Sequence, residues 1–108
     1  MRYVIYGAGG IGGSIGARLF LAGYSVLLIA RGEHGRVLRE AGLRFITPET
    51  QQQLEIETVE HPRDITWQAD DLVLLTMKSQ HTVAALEDLE AFAPADLGVV
   101  CCQNGVAN

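Results

Sequence analysis

Six residues near the amino terminus, Gly7-Ala8-Gly9-Gly10-Ile11-Gly12, fit G-x-G-x-x-G in one register. They stand between a β-branched and aromatic run, Arg2 to Tyr6, and a stretch of helical periodicity, the context that gives this motif its meaning. A strand that stops at such a turn brings backbone amides against a pyrophosphate. Gly7 then permits the tight turn, Gly9 the close approach of the phosphates, and Gly12 the packing of helix on strand, while the helix amino terminus stabilises the anionic charge. Gly10, Gly12, Gly13 and Gly16 would each cost a helix about 1 kcal/mol relative to alanine, which a merely flexible turn does not call for. The overlapping Gly12-Gly13-Ser14-Ile15-Gly16 matches the G-x-S-x-G of serine hydrolases. Ser14 falls inside the expected helix rather than on the strand-to-helix turn, so it reads as a small helix residue.

Three further residues stand where a ligand of that turn would extend. The second apolar run, Ser25 to Ala30, ends at Arg31. An NAD site usually carries a carboxylate there for the ribose hydroxyls, whereas an arginine can pair with a 2′-phosphate, so NADP(H) is the expected cofactor, with Arg36 placed to assist. Lys78, the sole lysine beside seven arginines, directly follows Leu74-Leu75-Thr76-Met77 at the carboxyl end of a buried strand. Gln103-Asn104-Gly105 holds the equivalent place after the last strand, where an amide can hydrogen-bond a ribose or substrate hydroxyl, although the same residues also make a common turn. His34, His61 and His81 share no metal-ligand spacing with one another or with Cys101-Cys102, so no metal site is expected. The histidines read as surface residues and the cysteines as small core residues. Glu87, Asp88 and Glu90 read as the solvated face of a helix, and Trp67 as a packing residue.

The composition narrows the class. With 13 Asp+Glu against 8 Lys+Arg, the net charge of −5 makes the chain a poor binder of nucleic acid. Hydrophobic residues at 48% and charged residues at 19% fit a compact fold rather than disorder. The longest charge-free stretch, Tyr3 to Ala17, is broken by glycines and does not suit a membrane span, and no apolar signal-peptide core precedes it. The cytoplasm is the expected compartment.

Buried strands alternate with helices along the chain. A helix should run to about Ala22 with Ile11, Ile15 and Leu19 as its core stripe and Gly23 as a left-handed cap. Ser25 to Ala30 has the unbroken apolar pattern of a strand covered on both faces. Arg31 to Gly35 reads as a polar turn and Arg36 to Ala41 as a short helix closed by Gly42. Leu43 to Thr47 and Leu54 to Thr58 read as a half-exposed hairpin at a sheet edge, and His61 to Asp70 as a connector. Leu72 to Met77 and Gly98 to Cys102 read as strands, separated by a helix over Thr82 to Phe92 with Val83, Leu86 and Leu89 on one face. This order specifies an α/β, Rossmann-like doubly wound parallel sheet with an edge hairpin. Residues 1–108 form one such domain. Asn108 follows the last strand without a cap or charged tail, as expected of a piece cut from a longer chain.

Together, Gly7-Ala8-Gly9-Gly10-Ile11-Gly12, Arg31, Leu75-Thr76-Met77-Lys78-Ser79-Gln80 and Gln103-Asn104-Gly105 resemble the amino-terminal half of the ketopantoate reductase (2-dehydropantoate 2-reductase) family over essentially the whole chain. The resemblance implies NADPH-dependent reduction of the 2-keto group of ketopantoate to pantoate, on the route to pantothenate and coenzyme A. It implies that Gly7, Ala8, Gly9, Gly10, Ile11 and Gly12 hold the pyrophosphate and Arg31 the 2′-phosphate. Lys78 and Asn104 would face the ribose and nicotinamide, and Asn104 also the substrate. It further implies that the proton-donating lysine and a substrate-binding glutamate belong to a helical second domain, so that no catalytic residue lies in this chain and the piece alone is inactive. Exposed apolar surface on the side that meets such a domain would favour self-association. Two other readings share the fold: a non-catalytic NAD(P)-sensing domain, which usually keeps an acidic residue where Arg31 stands, and the cofactor domain of another NADP-dependent 2-keto acid or hydroxy acid dehydrogenase.

Overall fold

The computed structural model describes residues 1–7, 10–77 and 79–101. Its elements are β1 (Arg2–Tyr6), α1 (Gly10–Leu21), β2 (Ser25–Ile29), α2 (Gly32–Ala41), β3 (Leu43–Ile46), β4 (Gln51–Leu54), β5 (Glu57–Val59), a 3₁₀ turn (Pro62–Asp64), β6 (Asp71–Leu75), α3 (Ser79–Phe92) and β7 (Gly98–Cys101). Five parallel strands form one sheet in the order β5-β2-β1-β6-β7. The chain steps outward from β1 to β2 and β5, then returns to the other side of β1 with β6 and β7. Its direction therefore reverses between β1 and β6, and the carboxyl ends of strands at such a reversal are where doubly wound sheets receive ligands.

Strand side chains alternate between faces, so each central strand feeds two cores. Ile5, Leu28 and Leu74 join Ala17 of α1, Leu38 of α2, and Leu43 and Leu54 of the small hairpin on one side. Val4, Tyr6, Leu27, Ile29, Val73 and Leu75 join Ala85 and Leu89 of α3 on the other, with Ile65 and Trp67 of the connector. This two-sided burial explains the unbroken apolar runs. Helix α1 ends as its sequence requires: Gly23 takes φ +95, its amide donates to Phe20 O at 3.1 Å, and the Tyr24 amide reaches Leu19 O at 3.1 Å, a Schellman cap.

Several expected boundaries move. Helix α2 starts at Gly32, not Arg36, because Arg31 is already its extended N-cap residue and the Gly35 amide donates to Arg31 O at 3.2 Å. Gly35 resembles a turn residue in the sequence, yet its role is close packing, since a Cβ there would lie 2.1 Å from the Ala30 carbonyl oxygen. The hairpin pairs Leu43–Ile46 with Gln51–Leu54 as a separate two-stranded sheet, and Glu57–Val59 instead extends the main sheet beside β2. Leu54, Ile56 and Thr58 are all buried, so their alternation is real, but it serves two sheets. On α3 the inward pair is Ala85 and Leu89, while Val83 and Leu86 are exposed. Small Ala85 lets this helix lie against the sheet. Strand β7 is a sheet edge and its residues, Cys101 among them, are exposed rather than core; Cys102 lies outside the described residues. Among the described residues no helix is long and apolar enough to cross a membrane, and none group as a metal site.

At the amino ends of β1 and β6, Arg2 faces Asp71 in register. Its guanidinium forks onto the carboxylate, Nε to Oδ1 at 3.0 Å and Nη2 to Oδ2 at 2.7 Å, and the Gln68 amide adds a third bond to Oδ2 at 2.9 Å. The Asp71 side chain is 0% exposed. Breaking a buried pair leaves a desolvated charge behind, so Asp71→Ala should lower unfolding stability by about 3 kcal/mol in a urea titration. A change within experimental error would mean that the pair contributes nothing net.

Candidate functional site

At the opposite end of the sheet β1 stops at Gly7, which takes φ +96, a conformation that L side chains rarely adopt. The Gly7 amide donates to Ile29 O of β2 at 3.1 Å, and the Thr76 amide, just past β6, donates to Tyr6 O at 3.0 Å. The Thr76 hydroxyl also reaches Tyr6 O at 3.0 Å and Gly7 O at 2.5 Å. Three strand ends are thus tied to one turn. Helix α1 begins against it, and a Cβ on Gly12 would sit 2.3 Å from Gly7 O and 2.5 Å from Thr76 Oγ1. Only glycine allows this approach. The first turn of α1 carries no acidic residue, so its amide end suits an anion.

Gly7, Gly10, Ile11 and Gly12 therefore meet at the β1–α1 junction, as the motif implies. Ala8, Gly9, Lys78 and Asn104 lie outside the described residues. Ser14 sits inside α1, clear of the turn. Arg31 stands two residues beyond β2, the neighbour of β1.

Arg31 is not alone there. Its Nη2 donates to Asp88 Oδ2 of α3 at 2.8 Å and to the Tyr6 hydroxyl at 3.1 Å, and that hydroxyl lies 3.3 Å from the same Oδ2. His61 Nε2 is 3.6 Å from it. His61 Nδ1 accepts the Arg63 amide at 3.1 Å, so the neutral ring carries its proton on Nε2, toward Asp88. Edge-on contact with Phe92 at 5.3 Å holds the ring, so His61 is partly buried rather than a surface residue. The Arg31 side chain remains 54% exposed, beside a depression of about 270 Å³ lined by Arg31, Glu60, His61, Arg63 and Asp64. Arg36 does not assist it, being bonded to Glu33 and Glu40 of its own helix. Thr76, Tyr6, His61 and Asp88 were missed from the sequence. An Ala85-Leu89 stripe would have revealed Asp88 beside it, three residues beyond Ala85.

A parallel sheet reversing at β1/β6, with a glycine turn and a close-packed helix at the reversal, defines a Rossmann-like α/β unit. The sequence profile of the ketopantoate reductase PanE/ApbA family matches residues 3–108, and the chain belongs to that family. It is 36% identical over 108 residues to the 2-dehydropantoate 2-reductase of Archaeoglobus fulgidus, covering 99% of this chain and 33% of that protein. Among solved structures it is similar to a PanE/ApbA family ketopantoate reductase from Ralstonia eutropha JMP134, with 34% identity and a TM-score of 0.85 over 100% of this chain and 36% of the other. It is also similar to a D-mandelate dehydrogenase solved with NADH and anilino(oxo)acetate, with 29% identity and a TM-score of 0.84 over 99% of this chain and 34% of the other. The chain spans about a third of the length of the curated relatives it matches.

The hydrogen bond from Arg31 holds the Asp88 carboxyl below the usual carboxylate range. Burial pushes the Tyr6 hydroxyl up, so it stays protonated and bridges the pair. A carboxyl depressed by folding stabilises above its unfolded pKa, and that contribution is lost as pH falls through the folded value. Carboxyl titration by NMR should place Asp88 below the ordinary range, and Arg31→Ala should return it upward. An Asp88 titration unmoved by Arg31→Ala would dissolve the pair.

Proposed function

We propose that this chain is the NADP-binding domain of an oxidoreductase of the 2-dehydropantoate 2-reductase type, reducing the 2-keto group of ketopantoate. The observation that carries the reading is a half-exposed guanidinium, Arg31, at the strand end beside the glycine turn. The glycine cradle fits a dinucleotide: a Cβ at residue 12 would fill the space that lets α1 approach the turn. Gly7 makes the turn, its own amide being bonded to Ile29 O. Backbone amides of Ala8, Gly9, Gly10, Ile11 and Gly12 would hold the pyrophosphate, Arg31 the 2′-phosphate, and Lys78 and Asn104 the ribose and nicotinamide side. Asn104 would also orient the keto acid. When bound, the nicotinamide supplies the hydride. The residues of this chain bind and orient, and the acid that protonates the forming alkoxide belongs to a second, helical domain outside residues 1–108.

A second reading is supported by the likeness to a D-mandelate dehydrogenase solved with NADH: the cofactor domain of another 2-keto acid reductase, without a demand for the 2′-phosphate. Cofactor preference separates the two. A charge-assisted bond to the 2′-phosphate contributes about 1.5–3 kcal/mol, roughly 10- to 150-fold in affinity. Titrating the chain with NADPH and NADH should show that preference, and Arg31→Ala should largely remove it. Equal affinities for the two in the unmodified chain would favour the second reading.

A further inference from the structure

The guanidinium assigned to a phosphate already carries a carboxylate. Asp88 comes from the middle of α3, 57 residues after Arg31, and packing does not require it there, since Ala85 and Leu89 seat the helix. Its side chain is 31% exposed, which would let an ordinary helix aspartate turn into water. Instead Arg31 Nη2, the Tyr6 hydroxyl and His61 Nε2 converge on one oxygen, Oδ2, at 2.8, 3.3 and 3.6 Å. That convergence holds the negative charge at the end of β2. Two anions brought to one guanidinium repel each other, and this repulsion is felt by a 2′-phosphate but not by an unphosphorylated ribose.

We propose that Asp88 is a specificity-determining residue: its carboxylate, held on Arg31 by Tyr6 and His61, competes with the 2′-phosphate and limits the preference for NADP over NAD. The proposal rests on the cofactor reading above. Asp88 acts through Arg31 and so is a positioning residue. An amide in its place still accepts the Arg31 hydrogen bond while removing the charge.

The test compares NADP⁺ and NAD⁺ affinities by calorimetry for the unmodified chain and for Asp88→Asn, Asp88→Glu and Arg31→Ala. Asp88→Asn should raise the NADP⁺:NAD⁺ affinity ratio by about three- to tenfold, through tighter NADP⁺ binding, and Asp88→Glu, which keeps the charge, should leave the ratio where it was. The gain should shrink as salt is added, which a purely structural role would not produce. If Asp88→Asn binds neither dinucleotide because its fold is lost, Asp88→Ala replaces it under the same expectation. A preference that Arg31→Ala abolishes but neutralising Asp88 does not raise would overturn the role of Asp88 alone. Equal affinities in the unmodified chain that stay equal in every variant would overturn the cofactor reading together with it.

Discussion

Where β1, β6 and α1 meet, the Thr76 hydroxyl bonds the carbonyls of Tyr6 and Gly7 while Gly12 lies against both groups with no room for a Cβ. The close approach sets the direction in which α1 leaves the sheet and hence where its amide end points. It also bridges the reversal between β1 and β6, because Thr76 follows β6 and Gly7 follows β1. A side chain at residue 12 would push the helix off the turn and separate the two strand ends, and interiors packed to near-crystalline density absorb such a shift poorly.

The other end of the same two strands is closed by different physics. Arg2 and Asp71 face each other in register, and their forked, buried pair aligns β1 with β6 through charge rather than close packing. Between these two fixed ends the strands need only be apolar, which Val4, Ile5, Val73 and Leu74 satisfy. At the carboxyl end Gly7 and Arg31 follow neighbouring strands and α3 contributes Asp88.

Much of this was legible in the sequence where one local rule decided the outcome. Strand β1 ended at Gly7 as read, and Gly23 capped α1, because a positive φ has few tolerant residues. The α/β order followed from apolar runs too continuous for one-sided burial. The misreadings share a cause: a residue whose environment is set by a distant segment. Gly35 looked like a turn until the Ala30 carbonyl beneath it explained the missing side chain. Leu54 pairs with Leu43, yet Thr58 pairs with Leu28, so one alternating run belongs to two sheets. The roles of Asp88 and His61 are set by distant partners: Tyr6 at the end of β1 and Arg31 beyond β2 for Asp88, and Asp88 and Phe92 of α3 for His61.

The proposed function joins the amide end of α1, beside Gly7, and the guanidinium after β2 into one dinucleotide site. Shift mapping of the ¹⁵N-labelled chain by NMR, with NADP⁺ and with NAD⁺, tests that union most directly. Both dinucleotides should move the amides from Gly7 to Gly12, and only NADP⁺ should move the Arg31 guanidinium resonance strongly. Unmoved glycine amides, or an Arg31 response that is the same for both dinucleotides, would contradict it.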